Sequence, residues 1–257
     1  MTKRVLLLSS VFIVLIFGIS NLFAEKIVFS ADQWPPFNME PGSEKPGYMV
    51  EIAKNIFESN GYEVEYKVMP WTRAILECRK GNINGIFAPY KEDAPDFVFP
   101  KEPAGEYGFQ FFTRAEDDWE YKGVESLYSV VLGSIKDYAY SPEIDKYIQE
   151  ENGTTKVDVM YGTAPLETNI KKLLGGRLDV VIATGPVFRY KVKTMGHADK
   201  VRSAGTAVEA KDCYIAFSPA LSVSDELSKL YTTEIQKMRE SGELKKILEK
   251  YGLTDWK

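Results

Sequence analysis

One arrangement of elements is written twice along the chain, and that repetition narrows the fold more than any single motif. In the first half, Lys26–Ser30 alternates apolar and polar residues as a strand does. Met49, Val50, Ile52, Ala53, Ile56 and Phe57 then recur at helical spacing until Asn60-Gly61 stops the helix. A strand over Glu63–Val68, a helix from Trp71 to Lys80, a turn from Gly81 to Gly85 and a strand over Gly85–Ala88 complete a βαβαβ unit. The second half follows the same order: strand Ser129–Leu132, helix Pro142–Glu151, Asn152-Gly153, strand Lys156–Met160, helix Pro165–Leu174, Gly175-Gly176, strand Asp179–Ala183. The class is therefore α/β with two lobes, each presenting strand ends to a ligand-sized gap.

Two short aromatic segments, Phe109–Thr113 and Cys213–Ser218, read as crossings between the lobes. Residues 25–110 then form the first part of lobe 1, 111–215 form lobe 2, and 216–257 return to lobe 1 as two helices, Asp225–Arg239 and Leu244–Tyr251. Two crossings make a hinge, and a hinge permits closure over a ligand.

Lys3 and Arg4, the apolar run from Val5 to Gly18 and the small residue Ala24 read as a cleaved signal peptide over residues 1–24. The run is shorter than the ~20 residues a spanning helix needs. Export to a bacterial periplasm follows. The whole chain carries a formal charge of −5, and cleavage removes two of its positive charges. An acidic chain with no basic run makes a poor nucleic-acid binder. The single histidine, His197, lies in a polar stretch, so histidine triads and histidine-rich metal centres lack raw material. No catalytic residue, metal or cofactor is expected. Cys78 and Cys213 have no metal-ligand spacing, and whether they pair stays open.

Candidate site residues come from the strand-end rule. In lobe 1, Trp34 follows the first strand within D-Q-W-P-P-F, Trp71 and Arg73 follow the second, and Pro89-Tyr90-Lys91 follow the third. In lobe 2, Ser134 and Lys136 precede a helix start, where free backbone N–H groups favour an anion, and Tyr161-Gly162-Thr163 and Thr184-Gly185 follow later strands.

The same residues resemble the bacterial extracellular solute-binding proteins of family 3, the polar-amino-acid-type receptors of ABC transporters. The resemblance runs over essentially the whole mature chain: W-P-P-F, P-G-Y-M-V-E-I-A, G-N-I-N-G-I, F-V-F-P-K-E-P, L-L-G-G-R-L-D-V-V-I-A, Y-I-A-F-S-P and S-G-E-L-K-K-I-L-E-K-Y-G, in that order. It implies a two-lobed type II periplasmic-binding-protein fold that closes like a flytrap. It also implies a monomer that delivers a small-molecule ligand to an inner-membrane permease. The family's usual ligand clamps are missing here. No arginine occurs between Arg79 and Arg114, Thr184 stands where an aspartate usually holds the ammonium, and Met49 stands where cation receptors tend to be acidic. Arg73, Lys91, Ser134 and Lys136 are candidate replacements for holding a carboxylate, with Trp34, Trp71 and Tyr90 around a flat or apolar body. The expected ligand is a small organic acid or a modified or aromatic amino-acid-like compound. Two alternatives share the fold: a cyclohexadienyl-dehydratase-like enzyme using Glu51, Glu92 or Asp93 as a general acid, and a ligand sensor docking on a receptor.

Overall fold

Burial of alternate residues on the first strand organises the first sheet. β1 (Glu25–Ala31) places Ile27, Phe29 and Ala31 in the core, and β2 (Tyr62–Val68) and β3 (Gly85–Phe87) pair with it in parallel. The computed structural model describes residues 24–136, 138–161 and 164–257. The helix α1 (Tyr48–Ser59) buries the periodic apolar face read from the sequence, and Gly61 ends it at φ +88°. α2 (Trp71–Arg79) starts directly after Pro70. Each fully buried Phe, Ile or Met contributes roughly 1.5–3 kcal/mol of apolar transfer.

The second sheet contains β4 (Gly105–Arg114), β5 (Leu132–Ile135), β6 (Val157–Met160), β7 (Val180–Thr184) and β8 (Val201–Cys213), in the order β6-β5-β7-β4-β8. α3 (Pro142–Glu151), α4 (Pro165–Leu174) and α5 (Gly185–Thr194) pack with this sheet. β9 (Ile215–Phe217) then returns to the first sheet, antiparallel to β3, giving the order β2-β1-β3-β9. α6 (Ser224–Ser241) and α7 (Glu243–Lys250) add Leu227, Tyr231, Ile235, Leu244, Ile247 and Leu248 to the core around Phe29. Gly242, at φ +78°, turns the chain between them.

The two crossings run side by side. Gly105 stands opposite Cys213, Ala104 N–H donates to the Cys213 carbonyl at 2.8 Å, and Tyr214 N–H donates to the Pro89 carbonyl at 3.1 Å. A Cβ at Gly105 would land on the Tyr48 hydroxyl, so these strands lie against α1 without spacer. The result is the two-lobed α/β fold expected from the sequence, with a paired-strand hinge.

Several elements differ from the sequence reading. Ser129 closes a 3₁₀ turn, Val124–Ser129, and the strand begins only at Leu132. Ser126 and Ser129 hydroxyls donate to the carbonyls of Gly123 and Ser126, local bonds that compete with a strand ladder. β8 was not anticipated, because its mostly polar sequence lacks an apolar face: of its thirteen residues only Ala204 and Cys213 are buried. α5 was also missed. Its Gly185-Pro186 start reads as a chain breaker, yet proline at the first helical turn sacrifices no hydrogen bond. Cys78 and Cys213 are both free and buried, in different apolar clusters. Burial pushes the Cys78 thiol up to about 12 and raises Cys213 as well. The signal peptide falls outside the described residues except for Ala24. Among the described residues, no helix is long and apolar enough to cross a membrane.

Candidate ligand-binding site

The loop after β1 carries the first wall. Trp34 N–H donates to the Asn38 carbonyl at 2.8 Å, and the Phe37 and Asn38 N–H groups return to the Trp34 carbonyl, closing a tight turn around Pro35-Pro36. Asn38 Nδ2 donates both to the Asp32 carbonyl and to Tyr66 Oη, tying the turn to β2. α1 braces it from behind: Tyr48 N–H donates to the Pro36 carbonyl and Met49 N–H to the Phe37 carbonyl, both at 3.0 Å. The indole of Trp34 stacks on Phe37 at 4.4 Å and meets Tyr107 of β4 edge-on at 4.6 Å.

The end of β3 supplies the second wall. Ala88 has φ +63°, the left-handed region that an L-residue enters at a cost, and its N–H donates to the Tyr214 carbonyl at 2.8 Å. That bend turns Tyr90 toward the hinge, where its ring stacks on Tyr107 at 4.3 Å and its hydroxyl donates to the Tyr107 carbonyl at 2.8 Å. Asp93 accepts from Tyr90 N–H at 2.8 Å.

Between these walls and the second sheet lies a cavity of about 350 Å³. From the first sheet's side Asp32, Trp34, Trp71, Ala88, Tyr90 and Asp93 line it; Tyr107 and Phe109 line it from β4; Tyr138, Ala139 and Thr184 close it from beyond β5 and β7. A recess of about 230 Å³ continues past Trp34, Tyr138 and Thr184 toward Ile135, Glu167 and Lys191. Lys191 pairs with Glu167 at 3.5 Å. This is the space outside the carboxyl ends of the parallel strands, where open α/β sheets hold ligands. A separate depression of about 300 Å³ lies among α5, β8 and Tyr251–Leu253, and none of the candidate strand-end residues reaches it.

Charge in the larger cavity is one-sided. Partial loss of water around Asp32 raises its carboxyl above the ordinary aspartate range, and the same cause raises Asp93. The negative charge of Asp32 is felt across the cleft, where burial first and Asp32 second raise the Tyr138 phenol. Burial also raises Tyr90 and Tyr107. Among the described residues lining this cavity there is no lysine, arginine or histidine.

Of the residues singled out from the sequence, Trp34, Trp71, Tyr90 and Thr184 come together here. Pro89 is buried and offers its carbonyl to the hinge. Arg73 is exposed on α2, and Lys91 lies 4.8 Å from the Tyr214 ring centroid; neither lines the cavity. Ser134 is fully buried, its Oγ has no hydrogen-bond partner among the described residues, and its carbonyl accepts from Asn169 Nδ2 at 2.9 Å. Lys136 is exposed, and its N–H completes the ladder to Met160. Gly162, Thr163 and Asp137 fall outside the described residues. The strand-end rule passed over Asp32, although it stands two residues before Trp34 in the same turn. It also passed over Tyr107, Phe109 and Tyr138, whose aromatic density was the available signal.

Comparison with known proteins agrees with the two-lobed fold. Residues 27–118 match the bacterial extracellular solute-binding proteins, family 3. No curated protein matches the chain in sequence. Among solved structures, the second substrate-binding domain of GlnP from Lactococcus lactis, in an open conformation, is similar with a TM-score of 0.67 at 19% identity, over 91% of this chain and 97% of that one. The amino acid ABC transporter substrate-binding protein AbpA from Streptococcus pneumoniae, bound to L-arginine, gives a TM-score of 0.60 at 21% identity, over 88% and 94%. A histidine kinase sensor domain with similarity to periplasmic binding proteins gives 0.63 at 18% identity, over 90% and 99%. Residues 27–118 thus carry the pattern of family 3 of the bacterial extracellular solute-binding proteins, and the chain around them has the two-lobed fold of amino-acid ABC transporter substrate-binding proteins.

Proposed function

We propose that this protein is the periplasmic solute-binding component of an ABC importer. It works as a monomer that captures a small ligand between its lobes, closes about the paired crossings and presents the closed form to an inner-membrane permease. The observation that carries this reading is the cavity itself: its walls come from both sheets, so closing the lobes buries ligand on both sides. Closure needs only that the closed state bind ligand better than the open one. The same capture step would serve a sensor, the role of one structural relative, with the partner differing.

The reading is binding rather than catalysis. Of the three candidate general acids, Glu51 accepts from Tyr251 Oη and pairs with Lys250 Nζ, and Glu92 faces Lys211 at 3.9 Å. Only Asp93 reaches the cavity. A prephenate-like dianion would meet two carboxylates there and no lining cation.

The experiment is small-angle scattering on the mature protein, as purified and after ligand is stripped by unfolding and refolding, with native mass spectrometry of the first sample. A bound small molecule and a larger radius of gyration after stripping support capture with closure. Identical radii and no bound mass count against it.

A further inference from the structure

We infer that the cavity takes a small organic cation lacking a carboxylate, its ammonium or guanidinium seated beside Asp32 and against the faces of Trp34, Tyr90 and Tyr138. This rests on the cavity being the solute site and names the chemistry that site selects. Charge and aromatic lining both lead to it. The lining contains two carboxylates, Asp32 and Asp93, and none of the described lining residues is cationic, so a bound carboxylate would gain no partner and would meet like charge. The basic residues nearest in sequence do not line the cavity: Lys91 lies over Tyr214, and Arg73, on α2, and Lys136, after β5, are exposed.

The rest of the wall is aromatic from both lobes. Trp34, Trp71, Tyr90 and Tyr107 face Phe109 and Tyr138, and aromatic faces attract cations and repel anions through their quadrupole. Trp34 and Tyr90 are held by Tyr107, edge-on at 4.6 Å and stacked at 4.3 Å, so the cage is built before ligand arrives. Thr184 adds a neutral polar group on the opposite wall: it is 3% exposed, and its Oγ1 has no hydrogen-bond partner among the described residues. The chain's net negative charge favours the approach of a cation as well. Lys191 is the one basic group among the described residues lining the adjoining recess, and it shares the Glu167 carboxylate, at 3.5 Å, with Lys171 at 2.8 Å.

The test is isothermal titration of the ligand-stripped full mature protein with two matched sets: phenethylamine, phenylalanine and phenylacetate; agmatine and arginine. The amine of a set binds at least tenfold more tightly than its amino acid, and phenylacetate gives no heat. Asp32→Asn weakens the amine at least tenfold while the melting temperature of the unliganded protein is retained; Asp93→Asn serves as the second variant should the first fail to fold. Lys191→Ala leaves amine affinity within twofold. Tighter binding of an amino acid or of the acid overturns the cation assignment while leaving solute capture standing. Amino-acid binding that is tighter than amine binding and is lost in Lys191→Ala likewise overturns it, assigning a ligand carboxylate to the recess. If neither amine binds, the inference fails, and if the as-purified protein also carries no small molecule, the capture reading falls with it.

Discussion

The indole of Trp34 and the phenol of Tyr107 meet edge to face, ring centroids 4.6 Å apart and planes at 84°. Trp34 comes from the turn after β1 and Tyr107 from the strand that leaves for the second sheet, so this contact joins a cavity wall to the hinge. Tyr90 stacks on the other side of Tyr107 at 4.3 Å. Trp34 and Tyr90, both on the first sheet's side of the cavity, thus share one partner on a strand of the second sheet.

Removing the indole separates these roles. Trp34→Ala deletes one stacked and one edge-on aromatic contact, each worth about 0.5–1.5 kcal/mol beyond area burial. The unfolding free energy falls by at least about 1–3 kcal/mol, the lost area burial adding to the contact terms, in a urea titration with unchanged slope, and ligand affinity falls at least tenfold. A full-affinity Trp34→Ala protein would remove the indole from the site.

The hinge can be weakened more gently. Tyr90→Phe keeps the stack and deletes the 2.8 Å hydrogen bond to the Tyr107 carbonyl, a change of about 0.5–1.5 kcal/mol. Stability drops by that amount, while the affinity for a small ligand stays within about threefold because the aromatic face remains.

The two lobes were legible in the sequence because buried parallel strands and amphipathic helices leave periodic apolar signals; α3 and α4 match the bounds read from spacing alone. β8 left none, being held by backbone pairing to β4 at eight registered positions and by little apolar burial. The site divides the same way. Trp34, Trp71, Tyr90 and Thr184 were legible because strand order dictates where loops meet. Which charges face the gap was not, because side-chain direction depends on local bends such as the positive φ at Ala88. Lys91, in the loop after β3, and Arg73, on α2, lie outside the cavity lining, whereas Asp93, in the same loop as Lys91, and Asp32, in the turn after β1, lie within it.

Gly47 is where the fold tolerates no side chain behind the Trp34 turn. Its φ is +107°, a Cβ there would overlap Asn38 Cα, and its N–H donates to Tyr251 Oη at 3.1 Å. Gly47→Ala is expected to cost at least about 1–2 kcal/mol from backbone conformation alone. The melting temperature falls by several degrees. Affinity falls too, because Tyr48 and Met49 N–H no longer hold the carbonyls of Pro36 and Phe37 in place.

Acid should weaken the binding of an organic cation, and the sign follows from Asp32 and Asp93. Desolvation raises both carboxyls, so each keeps its proton to a higher pH than in the unfolded chain. For the unliganded protein, their contribution to stability is fully present below the ordinary aspartate value of about 3.9 and is lost as pH rises through the raised values. A bound cation favours the ionised form, so affinity falls as pH drops through those raised values and is flat above them. Other charges bear on these groups: Glu92 reinforces the rise at Asp93, and the phenols of Tyr138 and Tyr66 stand within reach of Asp32, with Glu40 near Tyr66. Glu102 and Asp96, lowered by Lys257 and Arg79, lose their stabilising contribution in acid, so whole-protein melting mixes both signs. The difference between liganded and unliganded protein isolates the cavity. Titration of an amine in two buffers of different ionisation enthalpy checks it: protons are released on binding near the raised values, and the release vanishes in Asp32→Asn,Asp93→Asn. Proton uptake instead would mean that the ligand brings an anion to these carboxylates.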